Sequence, residues 1–180
     1  TAYPFHDTVA EYLEKHPNIK LAFQPGKNEI KLGKEKLAKL YSRAEILFCN
    51  LEEARTILDK QNAEILELSR GLAELGPKIV SISDGPNGAY MYVNQELWQI
   101  PLYPDIAPPS ERTGAGDAFA STITCAIALG LTPLQALAWG PINSMNVVQY
   151  VGAQAGLLPR KKLEEYLKNA PEDYKPKKIN

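Results

Sequence analysis

The chain has 180 residues, which is the size of about one domain and enough to bury a hydrophobic core without disulfide bonds. Hydrophobic residues make up 44% and charged residues 23%, which excludes a disordered or a fibrous chain. Lys and Arg number 20 against 21 Asp and Glu, so there is no overall positive field to attract nucleic acid or an anionic membrane. Any charged ligand must therefore be bound by local charge.

The two cysteines, Cys49 and Cys125, lie in separate apolar segments and lack the Cys-x-x-Cys spacing of a metal site. This usage predicts two buried free thiols in a reducing compartment. The N-terminal residues do not follow the signal-peptide pattern, and the uncharged stretch 118–159 is interrupted by proline and asparagine. We therefore expect a cytoplasmic protein without a membrane partner.

The first half of the chain alternates predicted helices with short apolar runs. Helices are expected from a cap at Asp7-Thr8 to Lys15 and over 34–44, 51–59 and 63–75, and strands over 19–23, 45–49 and 78–83. Short apolar strands separated by helices are typical of a mostly parallel sheet with helices on both faces. The pattern predicts an α/β fold and a single domain over residues 1–180.

The second half begins with a predicted hairpin and continues with helices. The expected elements are strands over 89–93 and 97–101, helices ending near 129, 150 and 167, and a solvated basic tail at 175–178. Thr132 with Gln135 three residues later is an N-cap signature for the helix that runs toward residue 150.

Gly114-Ala115-Gly116-Asp117 stands where a proline-rich loop enters an apolar helix. The two glycines allow close approach of backbone to a ligand, and the first amides of a helix bind anions. Beside such a site, Asp117 can accept a proton from a hydroxyl group while the amides stabilise the group being transferred. The alternative is that Asp117 only interacts favourably with the helix dipole.

Two other phosphate motifs are excluded. Gly26-Lys27 and Gly33-Lys34 are not followed by Ser or Thr, as a P-loop requires. Phe119 replaces the third glycine of a dinucleotide fingerprint, and a loop rather than a strand precedes it. Neither a P-loop enzyme nor a nicotinamide dehydrogenase is predicted.

Two further segments each allow two interpretations. Asn50 and Glu53 follow a predicted strand, where they either organise a hydrated Mg²⁺ ion or cap the next helix. The segment Ser83–Gly88 is either a ligand-contacting loop or a plain turn between strands.

Four segments in this order resemble the ribokinase-like (PfkB) carbohydrate kinases: Asn50-x-x-Glu53, Ser83-x-Gly85-x-x-Gly88, Thr113-Gly-Ala-Gly-Asp117 and Gly152-Ala153-Gln154. The resemblance implies a three-layer α/β sandwich that lacks its amino-terminal side. It also implies ATP-dependent phosphoryl transfer to a hydroxymethyl group of a sugar or nucleoside, a small-molecule acceptor.

The resemblance also assigns roles to residues. It implies Asp117 as the base and the amides of the segment Gly114 to Asp117, with Ala115 and Gly116 between them, as the anion hole. It further implies Asn50 and Glu53 as the Mg²⁺ site, and Ser83, Gly85, Gly88, Thr113 and Asn143 as nucleotide contacts. Glu111 and Arg112 replace the Asp and Thr that are usual in the family. The use of a monovalent cation therefore stays open, and Arg112 becomes a candidate for binding phosphate.

The family portion that would select the acceptor is absent from these residues. The acceptor and a homodimer of the complete protein therefore stay open, and the chain alone could be inactive. One alternative is a nucleotide-binding or degenerate kinase module without transfer activity. Two others are a structural interaction domain, in which the turns are only caps and loops, and a vitamin-precursor kinase of the same superfamily.

Overall fold

A computed structural model describes residues 3–179, with side chains from residue 5 onward. The strands are β1 Leu21–Phe23, β2 Ala44–Asn50, β3 Ile79–Ser83, β4 Ala89–Val93, β5 Glu96–Ile100 and β6 Lys177–Ile179. The helices are α1 Tyr3–Lys15, α2 Lys27–Leu32, α3 Ala38–Arg43, α4 Leu51–Leu58, α5 Ile65–Glu74, α6 Ala115–Ala128, α7 Pro133–Val147 and α8 Arg160–Lys168. The strands follow one another in chain order across one mixed, mostly parallel sheet, in which β1 and β2 are parallel. The predicted α/β fold class is confirmed.

The chain divides into two compact units. One consists of Thr1–Ile82 and Tyr92–Leu97, and the other of Ser83–Met91 and Trp98–Asn180. A single domain over residues 1–180 stays a prediction.

Strand β2 forms the centre of the first unit. Ile46, Leu47 and Phe48 are successive buried residues, as expected for a strand that is covered on both faces. At the start of the strand, the carboxylate of Glu45 lies 2.9 Å from the Lys78 ammonium and 3.6 Å from that of Lys20. The hydrogen bond from Lys78 is the main reason that the pKa of Glu45 lies below its usual value.

Two sequence predictions in the first unit are wrong in detail. Helix α1 already begins at Tyr3, so Asp7 and Thr8 lie inside the helix instead of capping it. Pro4 falls in the first turn, where the absent N–H group removes no helical hydrogen bond. The helix predicted over 34–44 is confined to α3, and α2 was not predicted.

The predicted hairpin is confirmed with a shorter turn. Only Asn94 and Gln95 separate β4 from β5, and their φ angles are 52° and 64°. Two successive residues with positive φ form the type I′ turn that matches the twist of paired strands.

Helices α6 and α7 form the centre of the second unit. Ile123 of α6 and Leu137 and Ile142 of α7 are fully buried. The helices approach closely at Gly140, where an added Cβ atom would lie 2.7 Å from the Phe119 ring. The predicted N-cap is confirmed, because α7 begins after Thr132 with a complete capping box.

The C-terminal segment returns to the second unit. Tyr174 is buried, and its hydroxyl donates a hydrogen bond of 2.8 Å to the carbonyl oxygen of Ala138. The prediction of a solvated basic tail is confirmed, because the side chains of Lys175, Lys177 and Lys178 are exposed. The backbone of residues 177–179 also forms β6, which was not predicted. A three-residue strand with two lysines has no apolar pattern by which it could be predicted.

Both cysteines are free, but only Cys49 is buried. The prediction of two buried thiols is wrong for Cys125, which lies on an exposed position of α6. Within residues 3–179, every helix is too short or too polar to cross a membrane.

Candidate active site

The start of helix α6 is built from the glycine-rich segment. Gly114 precedes the helix with φ 84°, a left-handed conformation that disfavours any residue with a Cβ atom. The chain then enters the helix at once, and Ala118 N–H donates to the Gly114 carbonyl at 2.8 Å. The N–H groups of Gly116 and Asp117 lie before this first helical hydrogen bond, at the end of the helix that attracts anions, and the Ala115 N–H donates to the Arg112 carbonyl at 3.4 Å.

Gly114 also lies directly against the loop that contains Gly152 and Ala153. A Cβ atom on Gly114 would lie 2.6 Å from the carbonyl oxygen of Ala153 and 2.7 Å from its Cα atom. The structure thus brings together two of the sequence segments on which the predicted site depends. The contact requires glycine at position 114 for space as well as for conformation.

Glu111 joins the same two segments. Its Oε2 atom accepts a hydrogen bond of 3.0 Å from the N–H group of Gly152. The Thr113 hydroxyl donates to the same carboxylate, and these two bonds, that of Thr113 first, lower the pKa of Glu111. The predicted nucleotide contact Thr113 therefore has its side chain engaged with Glu111.

Helix α7 holds the start of α6 from the other side. The Ser144 hydroxyl donates a hydrogen bond of 2.7 Å to the carbonyl oxygen of Ala115. The Val148 carbonyl, just beyond α7, accepts from the N–H groups of Ser110 at 2.8 Å and Glu111 at 3.2 Å. The loop before α6 is thus fixed by its backbone as well as by its side chains.

A cavity of about 300 Å³ opens at this end of the second unit. The predicted site residues that line it are Ser83, Gly85, Gly88, Ala115 and Gly116. Two segments that are about thirty residues apart in the sequence therefore contribute to one binding space. A cavity with backbone from a helix N-terminus on one wall suits a ligand with an anionic group.

The rest of the lining combines charge with apolar surface. Arg112 and Asp105 are the charged side chains among the described lining residues, and Phe119, Pro141 and Met145 contribute apolar surface. Asp117, the predicted base, is exposed in the first turn of α6, next to Gly116. The site therefore presents amides, a cation and carboxylates beside an apolar wall.

The turn before β4 is held by its own hydrogen bonds. Asp84 N–H donates to the Gly88 carbonyl at 2.9 Å, and the Asn87 side chain donates to the Asp84 carboxylate at 3.1 Å. A Cβ atom on Gly88 would collide with the carbonyl oxygen of Ile100, so only glycine fits there. The turn has a structural role and lines the cavity as well.

Asn143 is placed differently from the other predicted nucleotide contacts. It is buried, its amide donates to the Thr122 hydroxyl at 2.7 Å, and its Oδ1 atom accepts from Leu158 N–H at 2.9 Å. It lines a separate cavity of about 260 Å³. The structure therefore uses the Asn143 side chain to join α6, α7 and the following loop.

Asn50 and Glu53, in the first unit, form a capping box at the start of α4. Glu53 N–H donates to Asn50 Oδ1 at 2.8 Å, and Asn50 N–H donates to Glu53 Oε2 at 2.9 Å. A carboxylate has more lone pairs than this cap uses, and Mg²⁺ bound with phosphates needs few protein ligands. The pair therefore fits a hydrated magnesium ion as well as a cap. Among residues 3–179, no group of three or more His, Cys, Asp or Glu side chains is gathered for a metal.

Sequence reasoning missed one wall of the cavity. Ser144, Met145 and Val148 line it together with Pro141, and these positions follow the i, i+3, i+4, i+7 spacing of one helical face. The same spacing is typical of core positions. It therefore did not distinguish a cavity wall from ordinary packing.

The mostly parallel sheet with helices, together with a glycine-rich helix start beside a cavity, defines a ribokinase-like α/β protein. Residues 9–161 match the pfkB family of carbohydrate kinases, and the chain belongs to that family. The resemblance stated from the four sequence segments is thereby confirmed. No curated protein matches the chain.

Several solved structures are similar to this chain. Ribokinase from Arabidopsis thaliana, complexed with ribose and ATP, is 21% identical with a TM-score of 0.77, over 92% of this chain and 53% of that one. A nucleoside kinase from Burkholderia thailandensis, in complex with inosine, is 21% identical with a TM-score of 0.76, over 93% and 52%. An Escherichia coli protein assigned as a ribokinase II, in complex with ATP and Mg²⁺, is 21% identical with a TM-score of 0.74, over 86% and 50%. The chain thus spans about half the length of these proteins, and the likeness shows the fold.

Proposed function

We propose that the protein containing this chain transfers the terminal phosphoryl group of ATP to a hydroxymethyl group of a sugar or nucleoside. The observation that carries the proposal is the cavity that the Ser83–Gly88 turn shares with Ala115 and Gly116, immediately before Asp117. Family membership supports a kinase, and the names of the similar structures support ATP together with a sugar or nucleoside.

In the proposed reaction, Asp117 acts as the general base. Its carboxylate accepts the proton of the acceptor hydroxyl, and the hydroxyl oxygen bonds to the γ-phosphorus of ATP. The bond from the γ-phosphorus to the β–γ bridging oxygen breaks, and ADP leaves with that electron pair. We assign the backbone N–H groups of the segment Gly114–Asp117 to stabilising the negative charge on the group in transfer.

Arg112 adds positive charge to this cavity. A guanidinium presents several N–H donors in a plane, which suits phosphate oxygens. We assign Arg112 to the phosphates of the nucleotide, and the backbone of Ser83, Gly85 and Gly88 to the nucleotide beside them. Asn143 supports this part of α7 from the core, because its amide is engaged there.

For the magnesium ion that accompanies ATP, we assign Asn50 and Glu53 as the residues that hold it through water. Magnesium bound to the phosphates would neutralise the negative charge that develops during transfer. The capping box keeps both side chains in fixed orientations at the start of α4.

The proposal is tested by titrating the chain with ATP, with and without Mg²⁺, and following thermal unfolding. A ligand that binds the native state raises the unfolding midpoint in proportion to the logarithm of its concentration. We expect stabilisation of wild type and Asp117→Asn but not of Gly116→Val. A Cβ atom at Gly116 meets no atom within 4 Å, so there is room for the start of a side chain at this position of the cavity lining.

Turnover is then measured on the protein that contains this chain, with ribose and inosine among a panel of acceptors. Asp117→Asn is expected to lower turnover by about 10²–10⁴-fold while nucleotide binding persists. Near-normal turnover of Asp117→Asn would contradict the assignment of the base. An absence of nucleotide binding in a folded sample would favour the structural interaction domain.

A nucleotide-binding module without transfer activity is the second candidate. The observation that favours it is the cavity shared by the Ser83–Gly88 turn and the start of α6, which would hold a nucleotide whether or not transfer follows. Such a module would be stabilised by Mg-ATP but would release no ADP in response to any acceptor.

A further inference from the structure

Glu111 connects the segment just before α6 with the loop that contains Gly152. Its carboxylate accepts one hydrogen bond from the N–H group of Gly152 in that loop and another from the hydroxyl of Thr113 in the segment before α6. We propose that Glu111 is a positioning residue, which fixes the start of α6 for phosphate binding by holding the Gly152 loop against it. The inference rests on the proposed function, because it concerns the same binding site.

The geometry explains why the hydrogen bond between Glu111 and Gly152 affects the amides of α6. Gly114 and Ala153 are in contact without room for a Cβ atom between them, so a displacement of the Gly152 loop changes the space available to Gly114. Gly114 in turn sets the direction in which the chain enters α6. The Glu111 carboxylate therefore acts through Gly152 and Ala153 on the first N–H groups of the helix.

Glu111 is itself anchored by its backbone. Its N–H group and that of Ser110 both donate to the Val148 carbonyl, and the Ser110 hydroxyl donates to the Gln149 carbonyl at 3.2 Å. The side chain therefore extends from a fixed point toward the Gly152 loop. Backbone anchoring distinguishes Glu111 from a surface carboxylate that follows the movement of its own loop.

The carboxylate is chemically suited to hold both segments. It is ionised at neutral pH and has four lone-pair sites, so it accepts two donors at once, and bonds to an ionised acceptor are stronger than neutral ones. A glutamine of the same shape retains an acceptor oxygen for Gly152 N–H but loses the charge. An alanine retains neither.

The test compares Glu111→Ala, Glu111→Gln and Glu165→Ala in the protein that contains this chain. Glu165 is a matched control, since it is a solvent-facing carboxylate of the same unit that is bonded to Lys162 at 2.8 Å. Two quantities are measured: the amide hydrogen-exchange rates of residues 112–118 and 150–156, and the dissociation constant of Mg-ATP.

We expect Glu111→Ala to raise exchange in both segments and to weaken Mg-ATP binding by about tenfold, the scale of one lost hydrogen bond to a charged group. Glu111→Gln is expected to recover part of both effects, and Glu165→Ala to change neither. Wild-type exchange and affinity in Glu111→Ala would overturn the inference. If wild type binds no Mg-ATP but Glu111→Ala still raises amide hydrogen exchange in both segments, the proposed function fails. The role of Glu111 in holding the Gly152 loop against the start of α6 then still stands.

Discussion

Replacing Gly114 by alanine tests the architecture of the site most directly. An alanine at φ 84° costs about 1–2 kcal/mol because its Cβ atom opposes the left-handed conformation. That Cβ atom would also lie 2.6–2.8 Å from three atoms of Ala153, and such crowding costs about 1–3 kcal/mol more. The expected loss of unfolding free energy is the sum, about 2–5 kcal/mol, which lowers the melting temperature by about 10 °C for a protein of this size.

Two matched glycines separate the contributions. Gly130 has φ 88° but no atom within 4 Å of an added Cβ, so Gly130→Ala measures the conformational cost alone. Gly116 lies inside α6 with open space around it, so Gly116→Ala is expected to be neutral or to stabilise by up to about 1 kcal/mol. The three variants are compared by urea unfolding of the protein that contains this chain. Equal losses for Gly114→Ala and Gly130→Ala would refute the close contact with Ala153.

The remaining predictions concern helix caps and one charged cluster. Thr132→Ala and Asn50→Ala each remove a capping side chain, so each should lower the unfolding free energy, measured by urea unfolding, by about 1 kcal/mol. Of the two, only Asn50→Ala should weaken the Mg²⁺ dependence of ATP binding. The lowered pKa of Glu45 means that its bond with Lys78 stabilises the fold above the usual carboxyl pKa and is lost as pH falls through the lowered value. Glu45→Gln should therefore lower stability by up to about 1 kcal/mol at neutral pH, and urea unfolding at stepwise lower pH should show the difference from wild type disappear. A difference that grows in acid would contradict the sign of the pKa shift.

The elements with strong local signals could be predicted from the sequence. Thr132, Pro133 and Gln135 determine the start of α7 through side-chain and backbone chemistry that acts within four residues. The apolar run around Leu47 similarly indicates a buried strand. In both cases the information lies inside the element itself.

What could not be predicted depends on contacts that are distant in the sequence. β6 has no apolar pattern of its own, and it follows Tyr174, whose hydroxyl bonds to Ala138, 36 positions away. In the candidate site too, the features with a local signal could be predicted and the contacts between distant residues could not. Gly114 and Gly116 were recognisable as a helix start, whereas the contact of Gly114 with Ala153 and the bond from Glu111 to Gly152 depend on the fold.

The close approach of α7 to α6 has a consequence for the proposed phosphoryl transfer. At Gly140 the two helices leave no room for a Cβ atom, and the Ser144 hydroxyl is bonded to the first residue of α6. The first turn of α6 therefore cannot tilt without moving α7. Donors that are oriented before substrate arrives require little reorganisation as charge develops, which is the main electrostatic advantage of an enzyme over water. In the proposed reaction, movement that admits or releases substrate is therefore expected in segments other than this helix pair.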